Sequence, residues 1–386
     1  MSIYKNKQPI LWGTLHGLND FAAGFMLANY TLTHNNSDAF VFIVIYSILG
    51  FGGQLPAGFW LDYKKQLQPF AAASLILLPV AVIAYYISAE TGIILAGLAS
   101  AFVHVTGGAV CVLAGSPGQE TQTKSVPLAL FTAPGVLGLT LGGILGQYSN
   151  WQLAVVGTLI LPVGYLILKS RLPVYPADDS ATNSKHPIRK GGGLDTHDWL
   201  MLSILLIMCF RSVIFDVINH VAHDFDNGIL IIGISAFAGK MIGGFVADRI
   251  GWKKFIYISL PLALLLFQFG KDNIYALSFG IACLQSSVPI TLMLMAGSLP
   301  RYPATATALS LGTSVTLAGL PLYLMPGKSI MSNFFSNTFV TGVVFIFLLL
   351  CWILADRLLF SKNCFLQKPF HRVPQRLSQS PAERLQ

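Results

Sequence analysis

The chain has 386 residues, of which 54% are hydrophobic and only 10% charged, and its mean hydropathy is +0.65. Soluble domains carry about 25% charged residues, so a water-soluble globular fold is excluded, because it could not hide this much apolar surface. The net charge of +8 comes from basic residues in short segments between apolar runs, which is a membrane-topology pattern. No nucleic-acid partner is expected.

Apolar runs of about 20 residues, each long enough to cross a bilayer, are predicted near 10–32, 39–60, 69–88, 92–113, 126–147 and 152–168. A second set follows near 198–221, 228–247, 255–269, 274–294, 304–324 and 338–359. Met1 to Pro9 carries Lys5 and Lys7 and leads straight into a full-length span, so no cleavable signal is expected and the first helix serves as its own insertion signal. Between the two sets, residues 169–197 form the one long polar connector, with Pro173, Pro176, Asp178, Asp179 and a Gly191-Gly192-Gly193 run. The expected organisation is therefore a six-helix bundle over 1–168, a linker over 169–197, a second bundle over 198–360 and a basic tail over 361–386. Cys111, Cys209, Cys283, Cys351 and Cys364 are odd in number and show no CxxC spacing, so neither a disulfide framework nor a metal site is indicated.

Basic residues set the orientation, since short cytoplasmic loops hold the excess of Lys and Arg. Of the 24 in the chain, only Lys271 and Lys328 fall in loops on the outer side when the amino terminus is placed inside, while Arg211 and Lys240 lie within spans and the remaining 20 are internal. Both termini and the linker are thus expected in the cytoplasm of a multi-pass membrane protein, and the basic tail from Lys362 is expected as a disordered, soluble segment that fixes topology, the alternative being that it lies against anionic lipid. A Lys185→Cys variant should stay unmodified by an impermeant thiol reagent added outside intact cells. Labelling there would invert the topology.

An internal repeat crosses the linker. After the second span the chain reads Gly53-Gln54-Leu55-Pro56-Ala57-Gly58-Phe59-Trp60-Leu61-Asp62, and after the eighth Gly239-Lys240-Met241-Ile242-Gly243-Gly244-Phe245-Val246-Ala247-Asp248, continuing Arg249-Ile250-Gly251-Trp252-Lys253-Lys254. Gly, Gly, Phe and Asp match at fixed offsets. A Gly near a helix end admits a close neighbour, and an Asp there can accept hydrogen bonds from a neighbouring helix N-terminus, where the macrodipole favours an anion. The repeat resembles the signature of the major facilitator superfamily, Gly, three residues, Asp and then basic residues, although the first copy has Tyr63 where a basic residue is usual. The resemblance implies an all-α membrane protein with the major facilitator fold: 12 transmembrane helices in two six-helix bundles around a central cavity, working as a monomer. It also implies gating roles for Gly58, Asp62, Gly244, Asp248 and Arg249.

Two further patterns are weaker. Gly138-Leu139-Thr140-Leu141-Gly142-Gly143-Ile144-Leu145-Gly146 is similar to the glycine-rich fifth span of the antiporter branch, with Gly143 in place of its Pro, and also reads as a plain packing face. Where many drug/proton antiporters carry Arg in the fourth span, this chain has His104 followed by Gly107-Gly108. The opening His16-Gly17-Leu18-Asn19-Asp20 and the Ala101-Phe102-Val103-His104 segment are similar to fosmidomycin-resistance-type carriers.

Ionisable groups inside a membrane cost at least about 2.5–3.5 kcal/mol at a helix centre and usually mark pathways or relays. His16, Asn19 and Asp20 share one helix face, and Asp20 lies about 16 Å in from Pro9. In span 7, Asp216, Asn219, His220 and His223 form a stripe, with Arg211 turned away from it. Arg211 needs a partner on another helix, and Asp20 is the expected one. Lys240 lies about 12 Å inside the inner boundary. These residues suggest proton coupling through Asp20, His16 and His104, and substrate binding by Asn19, Arg211, Asp216, His220 and Lys240.

No HExxH, GxSxG or Walker sequence occurs, so an enzyme and an ATP-driven pump are both disfavoured, and no cofactor or metal is expected. The expected function is transport of a small-molecule substrate across the lipid bilayer by alternating access, coupled to protons, as an efflux antiporter. The alternatives are symport uptake of a small anionic nutrient or chelate through Arg211 and Lys240, and a non-transporting sensor or lipid translocator.

Overall fold

The computed structural model describes residues 7–115, 124–148, 151–175, 196–270, 272–324 and 352–353. Their regular structure is entirely helical. In the first half run α1 (Lys7–Thr33), α2 (Asn36–Lys64), α3 (Leu67–Ile87), α4 (Ala89–Gly115), α5 (Val126–Leu145) and α6 (Trp151–Lys169). In the second run α7 (Thr196–Ala222), α8 (Gly228–Ile250), α9 (Trp252–Phe269) and α10 (Ile274–Ser298, stepped at Ser286 and Ser287). The last, α11, comprises Pro303–Thr307, a π-helical turn at Ala308–Thr313 and Ser314–Leu324. The expected span 338–359 lies outside the described residues apart from Trp352 and Ile353, as do most of the linker and the basic tail.

Nine of these helices are long and apolar enough to cross a membrane, among the described residues. Their outward faces carry Ile76, Ile83, Leu161, Leu168, Ile242, Ile258 and Leu265 in exposed positions, an arrangement that suits lipid and not water. The 27-residue α1 is not among the nine despite its length, because His16, Asn19 and Asp20 lower its hydropathy. Most helices run two to four residues beyond the apolar stretches read from sequence. Hydropathy marks the hydrocarbon crossing, whereas helical hydrogen bonding continues into the interface.

Local chemistry sets several ends. Asn35 caps α2 by accepting from the Asp38 backbone N–H at 2.9 Å, and Asn273 caps α10 through Tyr275 N–H at 2.9 Å. The two repeat copies end their helices alike, three residues past each Asp: Lys65 has φ 53° after α2, and Gly251 has φ 95° after α8. Glycine adopts this region freely. Lysine does so only at a cost, which is one physical sense in which the first copy is degenerate.

In the first half, α1 packs between α5, α4 and α6, and α3 lies against α4 and α6. In the second, α8 packs on α9 and α10, and α7 on α10 and α11. The halves meet where α5 runs along α8 and where the start of α11 enters between α2 and α4. The glycine-rich face of α5 is the seam with α1: a Cβ on Gly138 would strike the carbonyl of Gly17, and one on Gly142 the carbonyl of Phe21. Gly143, where the antiporter motif has Pro, faces open space. Small residues here let two backbones touch.

Candidate functional site

The α1–α5 seam carries α1's polar face to the middle of the first half. His16 and Asp20 are one turn apart, and His16 Nε2 lies 3.0 Å from Asp20 Oδ2. From α4, His104 Nε2 approaches the other carboxylate oxygen at 3.8 Å, and the two imidazoles meet edge to face with centroids 4.5 Å apart. Asn19 donates from Nδ2 to Asp20 Oδ1 at 2.8 Å and to Ser100 Oγ at 3.2 Å. Tyr46 of α2 closes the group by donating to the same Ser100 oxygen at 3.3 Å.

The backbone fixes which ring nitrogens bear hydrogen. His16 Nδ1 lies 2.8 Å from the Phe131 carbonyl oxygen, and His104 Nδ1 lies 2.7 Å from that of Ser100. A carbonyl only accepts, so each Nδ1 carries a hydrogen and each Nε2 lone pair is turned toward Asp20. The 3.0 Å contact between His16 and Asp20 therefore requires a proton between them, either on the ring or on the carboxyl. Accessibility is graded: 14% of the Asp20 side chain remains accessible, against 6% for His16 and 5% for His104. Room for the pair comes from Gly135 in α5, where a Cβ would collide with the His16 ring and with Asp20 Oδ2. Pro134 beside it has no N–H for the Leu130 carbonyl, which loosens the helix at this level.

The second half carries two cations within its helices. Arg211 on α7 is 6% exposed and donates from Nη1 to Thr291 Oγ1 at 2.8 Å. Lys240 on α8 is partly buried and lies close enough to Asp20, His104 and Arg211 to feel their charges. Among the described residues neither cation has a salt bridge. The expected Asp20–Arg211 pair is not formed: two histidines occupy the carboxylate, and a threonine meets the guanidinium. Asp216 and Asn219 are half-buried on α7 and His220 is exposed, and among the described residues no hydrogen bond ties these three to the Asp20 cluster.

A different geometry holds the repeat residues. Asp62 is 1% exposed and accepts from Ala304 N–H at 3.1 Å, Thr305 N–H at 2.7 Å and Thr305 Oγ1 at 2.7 Å, at the start of α11. Asp248 accepts from Ser125 N–H at 2.9 Å, Ser125 Oγ at 2.8 Å and Val126 N–H at 3.1 Å, at the start of α5. Each anion of one half thus sits on a helix N-terminus of the other, where dipole and orphan N–H groups favour it. Gly58 and Gly244 allow the approach: a Cβ on them would press on Ala304 and Ala129. Arg249 is exposed. These bonds tie the two halves to each other at this end of the molecule.

Tyr175, beyond the end of α6, donates to Asp62 Oδ1 at 2.8 Å. Burial, and then the adjacent carboxylate, push its phenol well above the usual range, so it remains a donor. Trp252 Nε1 donates to Asp248 at 2.8 Å. Sequence reasoning missed Tyr175, Tyr46, Thr291 and the Phe131 carbonyl, which lie far from their partners in the chain and carry no local signal. Ser100 was findable, one helical turn before His104.

Two π-helical turns, Ile48–Gly52 in α2 and Ala308–Thr313 in α11, touch each other across the halves, and a Cβ on Gly312 would strike Phe51 and Gln54. Such turns recur at functional positions in helices. An apolar groove of ≈ 280 Å³ between α3 and α6, lined by Leu75, Ile76 and Tyr165 among others, includes none of the polar cluster.

No curated protein sequence matches the chain significantly. Among solved structures, it resembles the E. coli fucose:proton symporter FucP with a TM-score of 0.67 at 12% identity, covering 92% of this chain and 98% of that one. It also resembles a bacterial homologue of the iron transporter ferroportin in an outward-facing state, with a TM-score of 0.59 at 14% identity, covering 92% and 99%. The human organic anion transporter TETRAN gives 0.53 at 16% identity, covering 90% and 100%. At such identities the likeness is one of fold. The family model described as Major Facilitator Superfamily matches residues 10–309, the stretch that holds both repeat copies and both of their helix-end contacts, and the chain belongs to that superfamily of membrane transporters.

Proposed function

We propose that the chain is a proton-coupled secondary active transporter that exchanges a small organic solute for protons by alternating access, exporting the solute. The observation that carries this reading is the proton required between His16 Nε2 and Asp20 Oδ2. That proton lies on the side of a carboxylate that keeps accessible surface, beside a second imidazole able to receive it. A solute that competes with the proton for Asp20 couples the two fluxes, because only differential binding between states moves an equilibrium. The Asp62 and Asp248 contacts act as the gate at the end where they tie the halves. Their breaking lets the halves rock about the site, with both termini and the linker on the cytoplasmic side.

A second reading has its own support. Arg211 and Lys240 lie within the second half's helices without a carboxylate salt bridge among the described residues, and buried charges are ordinarily paired. An anionic solute would supply the missing partner, and uptake together with protons would then be the direction.

Proteoliposomes loaded with a pH dye and offered a panel of organic anions and cations separate the readings. Solute entry that drives protons out of the vesicle supports exchange, and entry that acidifies the interior supports symport. Solute flux with no proton movement in either direction would overturn proton coupling.

A further inference from the structure

The donors of the α1–α4 cluster suit a ligand other than a proton. One ligand atom from each of His16, Asp20 and His104 lies within 4.8 Å of the others, and both imidazoles present Nε2 to the carboxylate. We propose that His16, Asp20 and His104 form a binding site for a divalent transition-metal ion, held by the two Nε2 atoms and the Asp20 carboxylate. This departs from the expectation drawn from the cysteines, which take no part.

Three features support it. Imidazole nitrogens with a carboxylate suit zinc, iron(II) or cobalt(II), whereas magnesium and calcium take oxygen donors. The outer contacts are those that metal-binding side chains make: His16 Nδ1–H is donated to the Phe131 carbonyl, His104 Nδ1–H to the Ser100 carbonyl, and Asp20 Oδ1 accepts from Asn19. Such partners fix the ring tautomer with Nε2 free to ligate and orient the carboxylate. The spacing fits as well. An ion with bonds of about 2.1 Å in tetrahedral geometry sets its donors about 3.4 Å apart; His16 Nε2 lies 3.0 Å from Asp20 Oδ2, His104 Nε2 lies 3.8 Å from Oδ1, and one donor atom of each residue lies within 4.8 Å of the others. Small ring rotations would gather all three.

The surroundings bound the affinity. The ion displaces the proton shared by His16 and Asp20; the neutral histidines and ionised Asp20 that remain carry one negative charge, so a bound dication makes the site net positive, within electrostatic range of Lys240 of α8. Tyr46 of α2 lies beyond Ser100. Lys240 therefore opposes the ion, and its removal should strengthen binding. A surface histidine that picks up metal by accident would not respond in this way.

The inference stands apart from proton coupling, since it concerns binding at equilibrium without a gradient. Full-length protein purified in detergent is titrated with Co²⁺ and followed by visible absorption. One Co²⁺ per chain is expected, with the d–d bands of a four- or five-coordinate ion and displacement by Zn²⁺. His16→Ala and His104→Ala should each weaken binding by at least about 100-fold, the upper figure for loss of an outer partner alone. Lys240→Gln should tighten it, and His34→Ala, near the far end of α1, should leave it unchanged. Absence of stoichiometric absorption in the unaltered protein overturns the proposal whatever the variants do. So does binding that survives the His16→Ala/His104→Ala double substitution.

Discussion

Asp62→Asn should loosen the contact that ties the two halves at this end of the molecule, slowing turnover while leaving equilibrium substrate binding nearly intact. The carboxylate accepts two backbone N–H groups at the start of α11, the Thr305 hydroxyl and the Tyr175 phenol, at 2.7 to 3.1 Å. An asparagine offers one carbonyl oxygen, and its amide nitrogen would face donors. Hydrogen bonds to a charged group contribute about 1.5–3 kcal/mol each, so a loss of about 3 kcal/mol is a conservative sum and corresponds to roughly a 100-fold change in the open-to-shut ratio. Tyr175→Phe removes one bond and should give a smaller shift in the same direction. Spin labels at Lys64 and Arg301, both exposed near this contact, report it by their distance distribution. A distribution unchanged by Asp62→Asn would reduce Asp62 to a structural cap. Substrate binding lost from a folded variant would move Asp62 into the transport site.

Much of the framework was legible in sequence because each level left a periodic or compositional trace. Apolar runs located the helices to within a few residues, and the Gly53–Asp62 and Gly239–Asp248 repeat indicated two anions in equivalent places. Its chemistry, an Asp on a foreign helix N-terminus, followed from the macrodipole. Which N-termini they reach did not, because Asp62 meets Thr305 from more than two hundred positions away. At the site, the one-turn spacing of His16 and Asp20 was visible. The approach of His104 depended on how closely α4 and α5 flank α1, a matter of glycine contacts between backbones. Depth along the helix axis suggested an Asp20–Arg211 pair. Depth alone ignores rotation about the axis, and two histidines on nearer faces took the place assigned to the arginine.

That substitution of partners sharpens the expectation for Asp20. Asp20→Asn should abolish uphill transport and solute-driven proton flux, while leaving folded protein that still exchanges solute down its gradient with a flattened dependence on pH. An amide cannot carry the proton that His16 Nε2 and Asp20 Oδ2 now share at 3.0 Å. Asparagine can still donate a hydrogen bond to that nitrogen, and Asn19 and Ser100 remain to hold the local network. Little stability should therefore be lost, in contrast to breaking a buried ion pair, which costs about 3–5 kcal/mol. Had Asp20 been the counter-ion of Arg211, the double change with Arg211→Gln would be expected to restore both stability and coupled transport. With Arg211 bonded to Thr291 instead, the double variant should remain uncoupled. The comparison is made in proteoliposomes with imposed gradients of solute and pH, alongside thermal unfolding in detergent. Uphill, proton-linked transport by Asp20→Asn, or its recovery in the double variant, would remove Asp20 from the coupling role.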